Sequence, residues 1–425
     1  MSKFPFVSIE SIANKVAMGP FGSSIKVETF TSEGIPIISG AHLHNVKLTD
    51  GNYNFISPAH ASNLKNSIVH KKDIIFTHAG NIGQVSYIPD NSKYKNYIIS
   101  QRQFYLRCNE RALPEYVAYY FKSQKGKFSL LANSSQVGVP SIAQPVSYLK
   151  SIKIPLPEKK VQLAIVNILC SFDDKIELNR KMNETLEEMA QAVFQDWFVD
   201  FGPVKRKAKG ITDPVAILGG LIPNPAQAQK IASLFPDQFA EDGLPLGSKI
   251  IKLQDILELA YGKSLPQKRR AKGSIPVYGS GGITGYHNEC LIDGPSIIIG
   301  RKGSIGTIYW ENSPSFPIDT VFYVKSEFPL IYLYFLLKQF DLKAMNTDAA
   351  VPGLNRNNVY RLQIPYLNKT VIEKYASLMT PLFSYCRSNL DQNNTLAEMR
   401  DLLLPKLMSG EISVDDLEKK MGGVL

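Results

Sequence analysis

One helix-forming segment occurs twice in this 425-residue chain. The first copy runs from Lys160 to Met189 and the second from Thr370 to Met399, so the two pair without a gap at a constant offset of 210 residues. Both copies end in the signature N-x-T-L-x-E-M, written NETLEEM in the first and NNTLAEM in the second. A repeat of this kind predicts a fold built from two related halves.

Apolar and amide residues recur at heptad spacing within each copy, which is the pattern of a coiled-coil seam. Both copies carry asparagine at the same two seam positions, and a seam asparagine costs stability but fixes the register. We predict that the two long helices pack against each other, and we favour an antiparallel pair because a parallel pair would require the intervening chain to run back along it. The predicted seam residues are Phe172, Ile176, Asn179, Asn183, Leu186, Val193, Leu382, Asn389, Asn393, Leu396 and Leu403.

Three positions predict interruptions in these helices. Ser171, and Thr380 with the proline that follows it, resemble N-caps and predict a short helix followed by a long one in each copy. Pro405 aligns with Gln195 of the first copy. Because proline cannot donate a backbone hydrogen bond, we expect the second helix to end or kink early at this position.

The repeated helices divide the chain into successive segments. We predict a strand-rich lobe at 1–157, a helical spacer at 158–201, a linker at 202–250, a second lobe at 251–368, a second spacer at 369–412 and a tail at 413–425. The first lobe contains the segment DIIFTHAGNIGQVSYI, and the second contains the similar segment PSIIIGRKGSIGTIYW. The lobes therefore share a plan but differ in their loops. The predicted fold class is α+β: two similar strand-rich α/β lobes separated by two long antiparallel helices, with internal pseudo-two-fold symmetry.

The charge distribution favours a polyanionic partner. The formal net charge is +10, and residues 1–157 carry 17 Lys and Arg against 8 Asp and Glu. Residues 251–368 carry 13 Lys and Arg against 9 Asp and Glu. Residues 171–201, in the first long helix, carry only 3 Lys and Arg against 8 Asp and Glu. If the partner is nucleic acid, the lobes contact it and this helix does not. An ordinary basic surface is the alternative that charge alone leaves open.

The cysteines and the N-terminal sequence bear on the compartment. The four cysteines include no C-x-x-C pair, which suits a reducing environment and excludes a disulfide scaffold and a cysteine-rich zinc site. No apolar signal core is present, and no apolar run approaches the ~18 residues that a membrane span needs. We predict a soluble cytoplasmic protein.

No convincing catalytic constellation is present in the sequence. The glycine-rich loops lack the spaced G-K-S/T of a P-loop, and no N-P-P-aromatic or D-P-P-aromatic motif of an amine methyltransferase occurs. His42 and His44 alternate like metal ligands, but no third ligand lies close in sequence. This favours recognition over catalysis. A nucleotide-using enzyme with glycine-rich phosphate loops and a coiled-coil protein scaffold are the alternative functions.

Polar and basic side chains that could bind DNA are concentrated in the predicted loops of both lobes. Arginine and lysine bind phosphate or guanine edges, and asparagine or glutamine binds adenine. The candidates in the first lobe are Lys26, His42, His44, His78, Asn81, Gln101, Arg102 and Gln136. Those in the second are Lys263, Gln267, Lys268, Arg269, Arg270, Lys272, Tyr278, Ser280, Arg301 and Lys302.

Three stretches carry a family resemblance. They are QLAIVNILCSFDDKIELNRKMNETLEEMAQAVFQDWFVDF at Gln162–Phe201, its second copy ending LPKLMSGEI at Leu404–Ile412, and IPVYGSGGITGYH with IIIGRKGSIGT in the second lobe. With them, the chain resembles the specificity subunit of a type I restriction–modification enzyme over essentially its whole length. The resemblance implies two target-recognition domains that read the halves of a split double-stranded DNA sequence, helices that set their separation, and no catalytic activity.

The resemblance also implies partner proteins. Two modification (methyltransferase) subunits, and restriction subunits with them, are expected to carry out methylation and cleavage. No cofactor is then expected in this chain, since S-adenosylmethionine, ATP and Mg²⁺ would bind to the partners.

Overall fold

The computed structural model describes residues 2–22, 24–135, 138–345 and 353–414. The chain forms two compact units: unit 1 comprises residues 1–178 and 392–425, and unit 2 comprises residues 179–391. Each unit therefore contains one lobe together with parts of both long helices. The predicted tail lies almost entirely outside the described residues.

Proline at the first helical position begins several of the short helices, because its fixed φ suits a helix start and its missing N–H would be unpaired there anyway. The helices are α1 Pro58–Ser62, α2 Pro114–Lys122, α3 Gln124–Leu131, α4 Pro145–Ser151, α5 Lys159–Phe194, α6 Gly202–Ala208, α7 Pro214–Ile217, α8 Pro225–Ala232, α9 Leu330–Leu337, α10 Arg356–Tyr360 and α11 Lys369–Ser409. The long helices predicted from the repeat are α5 and α11.

The strands of unit 1 are β1 Phe6–Ser8, β2 Ala13–Met18, β3 Phe30–Thr31, β4 Ile35–Ile38, β5 Phe55–Ile56, β6 Ile68–His70, β7 Ile74–Thr77, β8 Val85–Tyr87, β9 Asn96–Ile99, β10 Gln103–Cys108, β11 Ser134–Ser135, β12 Ser141–Ile142 and β13 Lys153–Pro155. Those of unit 2 are β14 Lys249–Lys252, β15 Glu258–Tyr261, β16 Ile275–Gly279, β17 Gly282–His287, β18 Ser296–Gly300, β19 Ile308–Glu311, β20 Phe316–Pro317, β21 Val321–Lys325 and β22 Gln363–Tyr366.

Both lobes are built on the same sheet plan. A four-stranded sheet has the order β2-β10-β7-β8 in unit 1 and β15-β21-β18-β19 in unit 2, with every neighbouring pair antiparallel. A short two-stranded ladder closes each lobe, formed by β1 with β13 and by β14 with β22. The shared plan predicted from the sequence echoes is therefore confirmed.

One inner strand of each four-stranded sheet, β7 or β18, has three consecutive apolar residues because both of its faces are buried. In β7, Ile74 and Phe76 belong to one core cluster and Ile75 to another. In β18, Ile299 packs in the main core of unit 2, and Ile298 packs in a separate cluster. The loops at the ends of these strands are consequently held by a rigid, two-sided core.

The two long helices pack antiparallel within unit 2. Asn389 Nδ2 donates to Asn183 Oδ1 at 2.8 Å, and Asn183 Nδ2 donates to the carbonyl of Cys386 at 3.1 Å. Farther along α5, the Tyr375 hydroxyl donates to the carbonyl of Ala190 at 2.9 Å. Contacts move backward along α11 as they move forward along α5, so the pair is antiparallel. The predicted role of seam asparagines in fixing the register is supported by this amide pair.

The same arrangement holds within unit 1. Arg400 Nη1 donates to Asp173 Oδ1 at 2.5 Å, and Leu407 shares a core cluster with Ile165 and Leu169. The carboxyl-terminal part of α11 thus packs antiparallel to the amino-terminal part of α5. All the predicted seam residues of both helices are buried or half-buried.

The predicted breaks within the long helices are wrong. α5 runs without interruption through Ser171, and α11 runs through Thr380. Ser171 Oγ donates to the carbonyl of Ile168 at 2.7 Å, and Thr380 Oγ1 donates to the carbonyl of Ala376 at 2.8 Å. These hydroxyls bond to the preceding turn and do not cap a new helix, which is the other local use of serine and threonine.

Pro405 does not end α11, which continues to Ser409. Pro405 itself is exposed, whereas Leu404 and Leu407 beside it are buried in the core of unit 1. An interior proline costs a helix about 3 kcal/mol. Burial of the neighbouring leucines, at about 1.5–3 kcal/mol for each side chain, offsets this cost.

The segment 202–250, predicted as a linker, is folded and forms helices α6, α7 and α8. Asp213 and Asn224 cap two of these helices through their side chains. Ile231 and Phe235 are buried in the main core of unit 2. The prediction overlooked this packing because the segment is rich in small residues and proline. Within the described ranges, no helix is both long and apolar enough to cross a membrane.

Candidate nucleic-acid interface

In lobe one, two turns meet at the same end of the four-stranded sheet, at residues 78–84 after β7 and at residues 100–103, which lead into β10. The His78 amide donates to the carbonyl of Arg102 at 2.9 Å. Gly80 has a φ of 84°, a left-handed conformation that glycine adopts without strain. We call this pair of turns the loop frame of lobe one.

Lobe two repeats the loop frame at residues 301–307 and 318–321. The Arg301 amide donates to the carbonyl of Thr320 at 3.0 Å, and Gly303 has a φ of 79°. The frames also agree in side-chain placement. The His78 ring lies 3.1 Å from the carbonyl oxygen of Gln101, and Arg301 Nη2 donates to the carbonyl of Asp319 at 2.5 Å. The two loop frames thus share the same backbone hydrogen bonds, although their loop residues differ.

A cleft of about 310 Å³ opens at the loop frame of lobe one. Three of the predicted DNA-binding residues, His44, Asn81 and Arg102, line it together. Each of the three is exposed. The remaining lining residues are Ser39, Gly40, Ala41, Thr77, Ala79, Gln84, Ser100 and Gln103. The structure therefore brings together three predicted residues that span 58 positions of the sequence, from His44 to Arg102.

A chain of hydrogen bonds runs through the floor of the cleft. Ser100 Oγ donates to Gln103 Oε1, and Gln103 Nε2 donates to Thr77 Oγ1 at 3.4 Å. Thr77 Oγ1 donates in turn to Gln84 Oε1 at 3.2 Å. None of these floor residues was among the predicted DNA-binding residues. The sequence feature that could have indicated them is the pair of glutamines, Gln84 and Gln103, next to apolar strands.

Two predicted histidines of lobe one have roles inside the lobe. His42 Nδ1 accepts from the Ser39 amide at 3.0 Å, and its Nε2 lies 3.2 Å from the carbonyl oxygen of Asn52. Burial lowers the pKa of His78, whose ring contacts the carbonyl of Gln101. A metal site at His42 and His44 has no support, since no three His, Cys, Asp or Glu side chains in the described part of the chain could hold an ion together.

The other candidates of lobe one lie at its surface. Lys26 and Gln101 are exposed. Gln101 is part of the loop frame, whereas Lys26 follows β2 in a separate loop. Gln136 lies outside the described residues.

Lys122 supports the rim of the cleft from α2. Its Nζ donates to the carbonyl of His44 at 2.9 Å. Burial lowers the pKa of Lys122 to about 8, and the positive charge of Arg400 acts in the same direction. Because an unfolded lysine titrates near 10.4, the unfolded chain binds more protons between about pH 8 and 10.4. The contribution of Lys122 to stability therefore rises with pH across this window.

Replacing Lys122 with methionine is expected to remove this pH dependence. The free energy of unfolding of Lys122→Met minus that of the wild type should fall as pH rises from 8 to 10, because only the wild type gains stability there. Chemical denaturation at several pH values measures the difference. Lys125→Met is the matched control, since Lys125 is exposed and lies in the next helix. A difference that is constant with pH would contradict the assignment.

The basic loop of lobe two, residues 263–272, is largely solvent-facing. Arg270 is the exception, because its Nη1 donates to the carbonyl of Thr284 at 2.7 Å and its Nε donates to the carbonyl of Leu265 at 3.4 Å. It holds the loop against the lobe. The exposed candidates of this loop are Lys263, Gln267, Lys268, Arg269 and Lys272.

Two predicted contacts of lobe two are inside the lobe. Tyr278 is buried, and its hydroxyl donates to Glu311 Oε2 at 2.8 Å. Ser280 is also buried, and its hydroxyl donates to the carbonyls of Lys302 and Thr320. The register of β16 turns Tyr278 inward, and hydrogen bonds to the loop frame hold Ser280 just after that strand, neither of which the sequence alone revealed. Burial removes them from the candidate DNA-facing surface.

An aromatic side chain between two guanidinium groups marks the surface of lobe two. The guanidinium carbons of Arg301 and Arg356 each lie 5.2 Å from the centre of the Tyr261 ring. Tyr261 is 51% exposed. Arg301 was predicted, whereas Tyr261 and Arg356 were not, because they lie in different elements and meet only in the folded lobe. The neighbouring candidate Lys302 is exposed.

Comparisons with known proteins agree on one family. Residues 2–188 and 245–395 match the family described as the type I restriction modification DNA specificity domain. The chain is 26% identical to the type I restriction enzyme HindI specificity subunit of Haemophilus influenzae, over 81% of this chain and 87% of that one. It is 25% identical to the MjaIX specificity subunit of Methanocaldococcus jannaschii, over 93% and 90% of the two chains.

A solved structure supports the same fold. The crystal structure of the S subunit of a type I restriction–modification system from M. genitalium aligns with 96% of this chain and 96% of its own. The TM-score is 0.56 and the sequence identity is 21%. At this identity the likeness concerns the fold alone.

Proposed function

This chain belongs to the family of type I restriction modification DNA specificity proteins, and from that premise we propose that its two loop frames read the two halves of a split double-stranded DNA target. The chain is a DNA-recognition subunit and not a catalytic one. The alternatives of a nucleotide-using enzyme and of a coiled-coil scaffold gain no support from the family match.

The observation that carries the proposal is the repeated loop frame. The same backbone hydrogen bonds hold both frames, yet equivalent positions carry His78 and Arg301, or Gln101 and Asp319. A constant backbone with variable side chains is suited to reading different base sequences in one docking geometry. Both frames lie in basic lobes, which supports attraction to the phosphate backbone.

The two lobes offer different chemistry to DNA. Lobe one presents a cleft with polar walls, and lobe two presents an exposed basic loop beside the group formed by Tyr261, Arg301 and Arg356. Backbone contacts position a protein on DNA, and groove contacts specify the sequence. We assign the exposed lysines and Arg269 of the basic loop to phosphate and the frame residues to bases.

The chain assembles with other subunits in this family, and we propose a finer composition. Two modification subunits bind this chain, and restriction subunits join through them. We further propose that S-adenosylmethionine, ATP and Mg²⁺ bind to those partners. The relatives are named as subunits of type I restriction enzymes, which supports assembly of this chain with partner subunits. The two repeated halves of this chain support two equivalent modification partners.

The first test is the salt dependence of DNA binding by the complex that contains this chain. The affinity should fall steeply with salt. In a plot of the logarithm of the binding constant against the logarithm of the salt concentration, each neutralised phosphate adds about −0.9 to the slope. Replacing Lys268, Arg269 and Lys272 with glutamine should reduce the slope by about 3 if each contacts one phosphate. Fluorescence anisotropy across a salt series measures the slope.

A matched control removes three equally exposed charges elsewhere in unit 2. Lys205, Lys209 and Lys230 lie on or directly after the helices of 202–250, outside the lobe. Their replacement with glutamine should leave the slope unchanged. Binding that is insensitive to salt, or an equal loss in both triple variants, would count against DNA binding by the basic loop.

A further inference from the structure

We propose that the cleft of lobe one is a binding site for the acceptor edge of a guanine base in the half-site that this lobe reads. The inference rests on the proposed function and assigns a ligand to one site within it. A volume of about 310 Å³ falls at the lower end of the ~300–1,000 Å³ found for small-ligand pockets. The cleft can therefore hold a group the size of a base edge.

The direction of the hydrogen bonds in the cleft floor determines whether the floor offers a ligand a hydrogen-bond donor or an acceptor. Thr77 has one hydroxyl proton, and it goes to Gln84 Oε1, while Thr77 Oγ1 accepts from Gln103. The Gln84 amide is thereby oriented with its oxygen inward. Its Nε2 has no hydrogen-bond partner among the described residues, and the side chain lines the cleft. The floor accordingly offers a hydrogen-bond donor.

The rim adds donors of the same kind. The Arg102 guanidinium makes no hydrogen bond or ion pair within the described residues, and it lies over Gly80, where a Cβ atom would come within 3.3 Å of Nη1. No aspartate or glutamate lines the cleft. A donor-rich site without carboxylates selects a ligand that carries acceptors.

Guanine fits this pattern better than the other bases do. Its major-groove edge carries two acceptors, O6 and N7, whereas adenine and cytosine present an amino donor there and thymine presents one acceptor beside a methyl group. Arginine pairs with both guanine acceptors in the commonest specific contact to DNA. A phosphate also carries acceptors, but an uncharged amide on the floor suits a neutral base edge better. Phosphate is therefore one outcome that the experiment must separate.

The loop frame can form without this cleft, as lobe two shows. Lobe two has Ser280 at the position of Gly40, and the Ser280 hydroxyl donates to two frame carbonyls. In lobe one, a Cβ atom at Gly40 would lie 2.9 Å from Gln84 Oε1. Gly40 thus leaves room for the glutamine floor. The cleft is a feature of lobe one that goes beyond the shared frame.

The experiment compares base preferences of modification complexes that contain the wild-type chain or a variant. Methylated sites are mapped across a genome, and binding is then measured to duplexes with each base changed in turn. Arg102→Ala is expected to lose roughly ten- to hundredfold discrimination for guanine at one position of one half-site. Preferences at all other positions should stay the same.

Gln84→Glu is a second, independent variant. One carboxylate oxygen still accepts from Thr77, and the other replaces the unpaired amide donor of a side chain that lines the cleft. Preference for guanine at the same position should be lost, and a base that presents an amino donor, such as cytosine, should gain. Arg111→Ala is the matched control for Arg102→Ala, because Arg111 is exposed and its side chain bonds to the carbonyl of Ser11, outside the loop frame.

Each outcome decides one question. A uniform loss of affinity by Arg102→Ala across all sequences, with a salt slope lower by about 1, would show a phosphate contact and overturn the guanine assignment. Unchanged base preference in both variants would also overturn it. If the wild-type complex itself shows no split target, the proposed function fails, and that failure is seen before any variant is compared.

Discussion

A chimaera that carries the second lobe of a different family member is expected to recognise a DNA target with one new half and one unchanged half. The exchanged segment is best cut at the ladder that closes the lobe, where β14 pairs with β22 from Lys249 opposite Tyr366 to Lys252 opposite Gln363. Replacing residues 249–366 exchanges both strands of this ladder together. The loop frame and the basic loop are then transferred as one folded piece.

Contacts between the lobe and the long helices decide whether the chimaera folds. The Tyr334 hydroxyl and Lys338 Nζ both reach Glu187 Oε1 at 2.8 Å, and Arg387 reaches Ser313 from α11. A donor lobe that keeps hydrogen-bonding residues at the positions of Tyr334 and Ser313 is the appropriate choice. Loss of Tyr334 and Lys338 would remove both of the partners that reach the half-buried Glu187 carboxylate, and leaving such a charge unpaired is destabilising.

The readout is the set of methylated sites produced by the chimaeric modification complex. The matched control exchanges residues 202–248 alone, which form the helices beside the lobe and include no frame residue. That control should keep both halves of the target. A chimaera that changes both halves, or neither, would contradict the assignment of one half-site to each lobe.

The sequence predicted the long helices and their pairing because the determinants are periodic. Asn183 and Asn389 follow a heptad pattern whose phase can be counted along the chain, and their amides pair in unit 2. Local preferences for helix caps and for proline, by contrast, gave the wrong prediction at Ser171 and Pro405. Whether a helix continues through such residues depends on packing by the whole helix, which outweighs the local preference of one position.

The candidate site was predictable only in part, for a related reason. Arg102 and Asn81 were identified because they are polar or basic residues in the predicted loops of a basic lobe. The inward direction of Tyr278 depends on strand register, and the meeting of Tyr261 with Arg356 depends on how the lobe folds. Sequence spacing contains neither kind of information. The cleft floor was overlooked because its residues come from two separate turns and the strand ends beside them.

The largest expected loss of stability comes from Trp197→Ala in unit 2. Trp197 is fully buried in the turn that follows α5, with its ring centre 5.2 Å from that of Phe235 and 6.2 Å from that of Tyr375. It joins the helices of 202–250 to α11. Removing a buried tryptophan side chain costs about 3–5 kcal/mol, because packing is lost and a cavity remains.

Trp197→Phe separates ring packing from the indole N–H. The Nε1 of Trp197 is buried and has no hydrogen-bond partner among the described residues. An unpaired buried donor costs about 1–3 kcal/mol, so its removal offsets part of the lost packing. We therefore expect Trp197→Phe to lose much less stability than Trp197→Ala. Equal losses in the two variants would show that ring packing is not the dominant contribution.

Tryptophan fluorescence during denaturation measures these changes in unit 2 specifically. The chain has two tryptophans, and the second, Trp310, packs on Phe383 of the same unit with ring centres 5.0 Å apart. Trp310 therefore remains as the reporter when Trp197 is replaced. Met189→Ala on α5 is the control, because Met189 is 52% exposed and its loss should change stability by no more than about 0.5 kcal/mol. A Trp197→Ala loss as small as this would mean that segment 202–250 contributes little to the core, contrary to the packing of Phe235 against the indole.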